Sequence, residues 1–219
     1  MSYQMICFDL DGTLTDPKAG ITKSVQYALQ RFGIEVSDLD ELIPFIGPPL
    51  KESFMQLYGM SEEDAVQAIG YYREYFQKSG MLDNEIYSGI PALLSELQSQ
   101  GKKLVVATSK PTVYAVPILE HFQIAHYFEA IVGSELDGTR TDKAEVIRYI
   151  LDHYPSELSQ VVMIGDRKHD IIGAHKNDID SIAVGYGYGS KEELELSKPT
   201  YLVDSVHAVA ALLGISSRS

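Results

Sequence analysis

Cysteine occurs once in the 219 residues, at Cys7. A single thiol cannot close an internal disulfide, so nothing points to an oxidising compartment. It stands in the apolar run Met5-Ile6-Cys7-Phe8, where a small buried hydrophobe is the ordinary use of the residue. Apolar runs are short as well, and none approaches the ~20 residues needed to span a bilayer. The opening Met1-Ser2-Tyr3-Gln4 lacks the basic region of a secretory signal, so a cytoplasmic protein is expected. Positive charge is scarce. Eighteen Lys and Arg stand against 31 Asp and Glu, a formal net charge of −13. That balance argues against nucleic acid and anionic membrane surfaces as partners.

Hydrophobic residues make up 45% of the chain, enough to bury a substantial core without staples. Four runs rich in β-branched residues read as buried strands: Gln4 to Leu10, Lys103 to Thr108, Ala130 to Gly133 and Val161 to Gly165. Ser181 to Val184 and Thr200 to Val203 are weaker candidates. Between them lie amphipathic helical patterns. One starts near Pro91 and stops at Gly101, one follows Pro111, one runs from about Thr141 to His153, and one from about Asp204 to Leu213. Strands alternating with helices, each strand almost continuously apolar, predict an α/β doubly wound parallel sheet with a Rossmann-like core.

The segment from Asp16 to about Asp83 breaks this alternation. Val25, Leu29 and Phe32 recur at helical spacing, as do Phe54, Leu57 and Tyr58, and Tyr71-Tyr72-Arg73-Glu74-Tyr75-Phe76 continues the pattern. An inserted all-helical domain over residues 16–83 is expected, with the core formed by 1–15 and 84–219. The aromatic stretch fits helix–helix packing.

Open parallel sheets bind ligands at the carboxyl ends of their strands. Asp9-Leu10-Asp11-Gly12-Thr13-Leu14-Thr15 ends the first strand, Thr108-Ser109-Lys110 the second, and Gly165-Asp166-Arg167-Lys168-His169-Asp170 the fourth. Lys143 opens the helix after the third. Four carboxylates, a hydroxyl and at least one ammonium would then meet at one edge.

The order Asp9-x-Asp11-Gly12-Thr13, Thr108, Lys143 and Gly165-Asp166-x-x-x-Asp170 resembles the haloacid dehalogenase-like hydrolase superfamily. Within it, the chain is most similar to the phosphoglycolate phosphatase and 5′-nucleotidase-like branch, and the resemblance spans almost the whole chain. It implies that the helical insertion is a cap. It implies a metal held by an Asp9 carboxylate oxygen, the Asp11 backbone carbonyl and Asp166, with Asp170 binding metal-bound water or orienting Lys143. Lys143 matches the family's essential lysine better than Lys110, because it begins a helix. Arg167, Lys168 and His169 depart from the small polar residues usual between the two aspartates; they alter the charge at the site's edge or form a solvated loop.

The residue types also make chemical sense by themselves. Asp9, ionised at neutral pH, can attack phosphorus and form an acyl phosphate that water then cleaves. Asp11 can protonate the leaving alcohol and then act as base toward water. Gly12 frees the backbone to turn. Thr108 and Lys143 would hold phosphoryl oxygens, helped by amides around Leu10 and Ser109. A hard oxygen-rich set without a His or Cys pair favours Mg2+ over zinc. Four carboxylates against Lys143 leave three negative charges; a magnesium ion and a proton on Asp11 would neutralise them.

In the insertion, Ile46-Gly47-Pro48-Pro49-Leu50-Lys51 forms a stiff turn whose amides could face the core. Gly47 and Lys51 are the candidate substrate contacts, and Lys18 and Arg140 stand near the expected interface. The substrate expected is a small phosphorylated metabolite: phosphoglycolate, a nucleoside 5′-monophosphate or a sugar phosphate. Six histidines and fourteen tyrosines contain no decisive stacking motif for a base, and the oligomeric state is not readable. A sugar-phosphate mutase would use the same residues. A haloacid dehalogenase would need neither Asp11 nor magnesium. A non-catalytic phospho-acceptor would be shorter and carry its aspartate on a later strand.

Overall fold

β-branched and other apolar residues dominate six runs that form one sheet in the computed structural model, which describes residues 3–215. The strands are β1 (Met5–Phe8), β2 (Lys103–Pro111), β3 (Ala130–Ser134), β4 (Val161–Gly165), β5 (Asp180–Val184) and β6 (Tyr201–Val203). Their order is β3-β2-β1-β4-β5-β6, and every neighbouring pair is parallel. Every residue of β1 and β4 is buried, which is why these strands read as unbroken apolar runs. The chain winds outward from β1 through β2 to β3, then returns to the other side of β1 as β4. That reversal places a crevice beyond the carboxyl ends of β1 and β4.

The chain divides into two compact units, one running to Thr15 and resuming at Ile86, the other Asp16–Glu85. The second unit is helical: α1 (Lys18–Gln30), α2 (Leu50–Tyr58) and α3 (Glu62–Tyr75), with a 3-10 segment Leu39–Phe45 and a π turn Phe76–Gly80. Ile21, Val25, Ala28 and Leu29 are the buried apolar stripe of α1. Ser61 caps α3 by accepting from the Asp64 amide at 3.1 Å. The aromatic residues pack these helices together: Tyr27 meets Tyr75 at 5.4 Å between ring centres, and Phe32 meets Tyr71 at 6.1 Å.

The first unit adds α4 (Ile90–Ser99), α5 (Thr112–His121), α6 (Lys143–His153), α7 (Lys168–Lys176), α8 (Lys191–Leu196) and α9 (Val206–Leu212). Met5, Cys7, Val105, Val132, Met163, Val146, Ile147 and Ala174 share one core. The sequence reading omits α7 and α8, of nine and six residues. It also ends β2 early. Ala107 pairs with Val132 and Pro111 with Ser134, so β2 carries two more residues than β3 over that interval. The resulting bulge holds Thr108, Ser109 and Lys110, and bulges of this kind re-aim side chains beside functional sites.

Candidate active site

β1 ends one residue before Asp9, whose amide donates to the Ile164 carbonyl of β4 at 2.9 Å. The aspartate is therefore anchored at the switch point while its side chain leaves the sheet. Its Oδ1 accepts from the Leu10 amide at 2.7 Å and lies 2.8 Å from Lys143 Nζ. Leu10, expected to offer its amide to a phosphoryl oxygen, thus directs it to Asp9.

Lys143 is the first residue of α6, which Asp142 caps by accepting from the Ala144 amide at 2.8 Å. Its buried stem carries Nζ to Asp9, to Asp170 Oδ1 at 2.7 Å and to the Ala107 carbonyl at 2.9 Å. Three oxygens meet the three donors of an ammonium. Burial works against its charge, but the facing carboxylates of Asp170 and Asp9 prevail and hold its pKa above the ordinary lysine value.

Asp166 follows β4 and is fully buried. Its Oδ2 accepts from the Tyr188 amide at 2.7 Å, and its Oδ1 lies 3.3 Å from the Thr13 hydroxyl donor. Asp170 sits in the first turn of α7, where Oδ2 accepts from the Arg167 amide at 3.0 Å. Burial, then the charges of Asp170 and Asp9, push the Asp166 carboxyl well above the carboxylate range. Burial likewise pushes Asp170 up to about 6, with Lys143 pulling the other way.

Asp9, Asp166 and Asp170 each offer an oxygen within 4.8 Å of the others, and all three are buried. Fully ionised, the three carboxylates against the one ammonium of Lys143 would leave two negative charges uncompensated in a desolvated space, which is what raises Asp166 and Asp170. A hard divalent cation fits that donor set and that charge.

Asp11 stands apart from this group. Its Oδ2 lies 2.6 Å from Lys110 Nζ, and both side chains are buried. Burial raises the Asp11 carboxyl, and the Lys110 ammonium opposes it. The sequence reading prefers Lys143 to Lys110 as the site cation and neutralises Asp11 with a proton. The structure gives the two lysines separate partners, Lys143 facing Asp9 and Asp170 and Lys110 facing Asp11. Thr108 is buried, its Oγ1 accepting from the Lys110 amide at 3.1 Å, while the Ser109 carbonyl accepts from Ser134 at 2.8 Å.

A haloacid dehalogenase-like hydrolase family model matches residues 6–184, an interval that contains all of these side chains. The chain belongs to the haloacid dehalogenase-like hydrolases. It is 50% identical over 213 residues to a 5′-nucleotidase of Pseudomonas aeruginosa, covering 97% of this chain and 96% of that protein. It is 39% identical over 199 residues to the tyrosine-protein kinase PtkA of Mycobacterium tuberculosis, covering 91% of this chain and 68% of that one. Among solved structures, a predicted phosphatase from Clostridium acetobutylicum superposes with a TM-score of 0.95 at 52% identity, covering 97% and 99% of the two chains.

The remaining expected residues of this hydrolase have other partners. Lys51 forms an exposed pair with Glu62, and Lys18 pairs with Asp40 at 2.7 Å. Both pairs, like Gly47, belong to the helical unit. Arg140 pairs with Glu135 and lies 4.4 Å over the Tyr149 ring. Arg167 is not a solvated residue: its Nε donates to Glu193 Oε1 at 2.9 Å, and its charge, at the site's edge, acts to lower the Asp166 pKa. Lys168 is exposed and His169 half-buried.

Sequence reasoning passes over the loop Gly185 to Gly189. The Tyr186 hydroxyl donates to the Thr13 carbonyl at 2.9 Å, and Tyr188 supplies the amide that holds Asp166. The available signal was the repeated glycine in Gly185-Tyr186-Gly187-Tyr188-Gly189, which marks close backbone approach. A Cβ on Gly187 would meet the Gly12 carbonyl at 2.3 Å.

Among the described residues no helix is long and apolar enough to cross a membrane.

Proposed function

We propose that this hydrolase is a magnesium-dependent phosphatase of small phosphomonoesters in which Asp9 carries the phosphoryl group between two transfers. The observation that supports it most directly is Asp9, held at the β1–β4 switch point by the Leu10 amide and Lys143 Nζ. A fixed carboxylate oxygen with an adjacent ammonium is an oriented nucleophile beside a charge that can neutralise phosphoryl oxygens.

In the first transfer an Asp9 oxygen forms a bond to phosphorus as the phosphorus–alkoxide bond breaks, and Asp11 gives its proton to the leaving oxygen. In the second, water attacks the same phosphorus. Asp11 takes the water's proton, the acyl phosphate bond breaks, and inorganic phosphate leaves with Asp9 restored. Thr108 donates to a phosphoryl oxygen, with the Ser109 amide beside it. Magnesium, held by Asp9, the Asp11 carbonyl and Asp166, would supply the positive charge that offsets the transferring phosphoryl group. Asp170 Oδ2 accepts from the Arg167 amide, and its Oδ1 forms an ion pair with Lys143 Nζ at 2.7 Å, which favours its orienting role over direct ligation. The helical unit acts as a cap that admits substrate and excludes bulk water, with Gly47 and Lys51 as its substrate contacts.

The test is release of inorganic phosphate from nucleoside 5′-monophosphates, phosphoglycolate, sugar phosphates and phosphotyrosine, with magnesium and with a chelator. Metal-dependent release from the small esters is expected, nucleoside 5′-monophosphates being tried first because of the Pseudomonas relative. No release from folded protein would reject the proposal, and isomerised sugar phosphate without release would replace it with a mutase.

A further inference from the structure

The acid–base role of Asp11 leaves one structural fact unused. Its two oxygens are not equivalent: Oδ2 lies 2.6 Å from the buried ammonium of Lys110, whereas Oδ1 is buried and has no hydrogen-bond partner among the described residues. An ammonium has only donors. The oxygen it touches must accept, so a proton on this carboxyl belongs on the other oxygen. A buried oxygen without a partner is costly in a purely structural residue and recurs where catalysis uses the atom.

Lys110 reaches Asp11 for a reason the fold supplies. It lies in the bulge that gives β2 two more residues than β3 between Ala107 and Pro111. Its own amide donates to Thr108 Oγ1 at 3.1 Å, so one short bulge positions both the proposed phosphoryl contact and the ammonium.

We propose that Lys110 is the positioning residue of proton transfer: by holding Oδ2 of Asp11, it presents Oδ1 as the atom that gives and takes the proton. This rests on the acid–base reading of Asp11 given above. In the first transfer the proton passes from Oδ1 to the leaving oxygen, and the carboxylate left behind keeps its Oδ2 contact with Lys110. In the second, Oδ1 receives the proton of the attacking water. Lys143 cannot substitute, because its three donors face Asp9, Asp170 and the Ala107 carbonyl.

The test compares leaving groups in single turnover, so that only the first transfer is read. Nitrophenolate leaves with little protonation, whereas an alkoxide needs it. Lys110→Met should slow alcohol release from an alkyl monophosphate about 100-fold, at the low end of what general acid catalysis contributes. Nitrophenol release from p-nitrophenyl phosphate should stay within about threefold of wild type, since that step barely uses the acid. Asp11→Asn should show the same selectivity, and the double variant should lose no more on the alkyl ester than Asp11→Asn alone. Lys110→Arg, which keeps the charge, should recover part of the alkyl rate and serves if Lys110→Met does not fold. Equal losses on both esters, or none, would make Lys110 a structural or phosphate-binding residue and overturn the inference while leaving Asp11 in its role. An Asp11→Asn variant indifferent to leaving group would instead remove the acid–base reading itself.

Discussion

Gly12 packs directly against Asp166: a Cβ on Gly12 would lie 2.2 Å from Asp166 Oδ2. Gly12 also has φ at +79°, a region other residues enter only with strain. The turn after β1 and the loop after β4 can interlock only while this position has no side chain. Gly12→Ala is therefore expected to cost about 2–3 kcal/mol of stability, combining backbone strain with a displaced buried carboxylate. Urea unfolding of metal-free protein measures it; a midpoint equal to wild type would contradict the close approach.

Asp9→Asn removes the nucleophilic charge without changing shape. Phosphate release should fall roughly 10³-fold or more, as when other enzymes lose a nucleophile, while the melting temperature stays near wild type. Retained turnover would eliminate Asp9 as the attacking group.

Glu193 ties α8 to the start of α7, between Asp166 and Asp170. It accepts from Arg167 Nε and from the Lys168 amide, each at 2.9 Å. Glu193→Ala should release that segment and weaken Mg2+ or Mn2+ binding about 10-fold, the lower range for loss of outer-shell support. Titration calorimetry in the absence of substrate reads this directly, and unchanged affinity would confine the contact to stability.

Burial pushes the Cys7 thiol up to about 12. Because the folded value lies above the unfolded one, the thiol's contribution to stability is complete below about pH 9 and is lost as pH rises from there toward 12. At pH 8, labelling by a thiol reagent should proceed only through unfolding and match the global unfolding rate. Rapid labelling of native protein would refute the buried placement.

Much of this architecture is legible in single residues. All six strands of the sheet carry apolar runs visible without a structure; Asp9 and Asp166 each follow a strand by one residue, and Lys143 opens a helix. Lys110 is harder to weigh. A lysine at a strand end is ordinarily solvated, and only the extra residues of the β2 bulge turn it inward against Asp11. Arg167 misleads for a related reason: its partner Glu193 lies 26 positions away. Tyr188 contributes through its backbone amide, which its side-chain identity cannot advertise.

The sequence alone determined the alternation of strand and helix, the helical insertion after β1, and the set of carboxylates at the strand ends, because periodicity and chain order are local properties. Tertiary structure alone decided which ammonium faces which carboxylate. Lys143 joins Asp9 and Asp170, and Lys110 joins Asp11, because those pairings depend on the order of parallel strands and on one bulge. Charge in a desolvated crevice is sensitive to ångström-scale placement, and the residue string does not encode such distances locally.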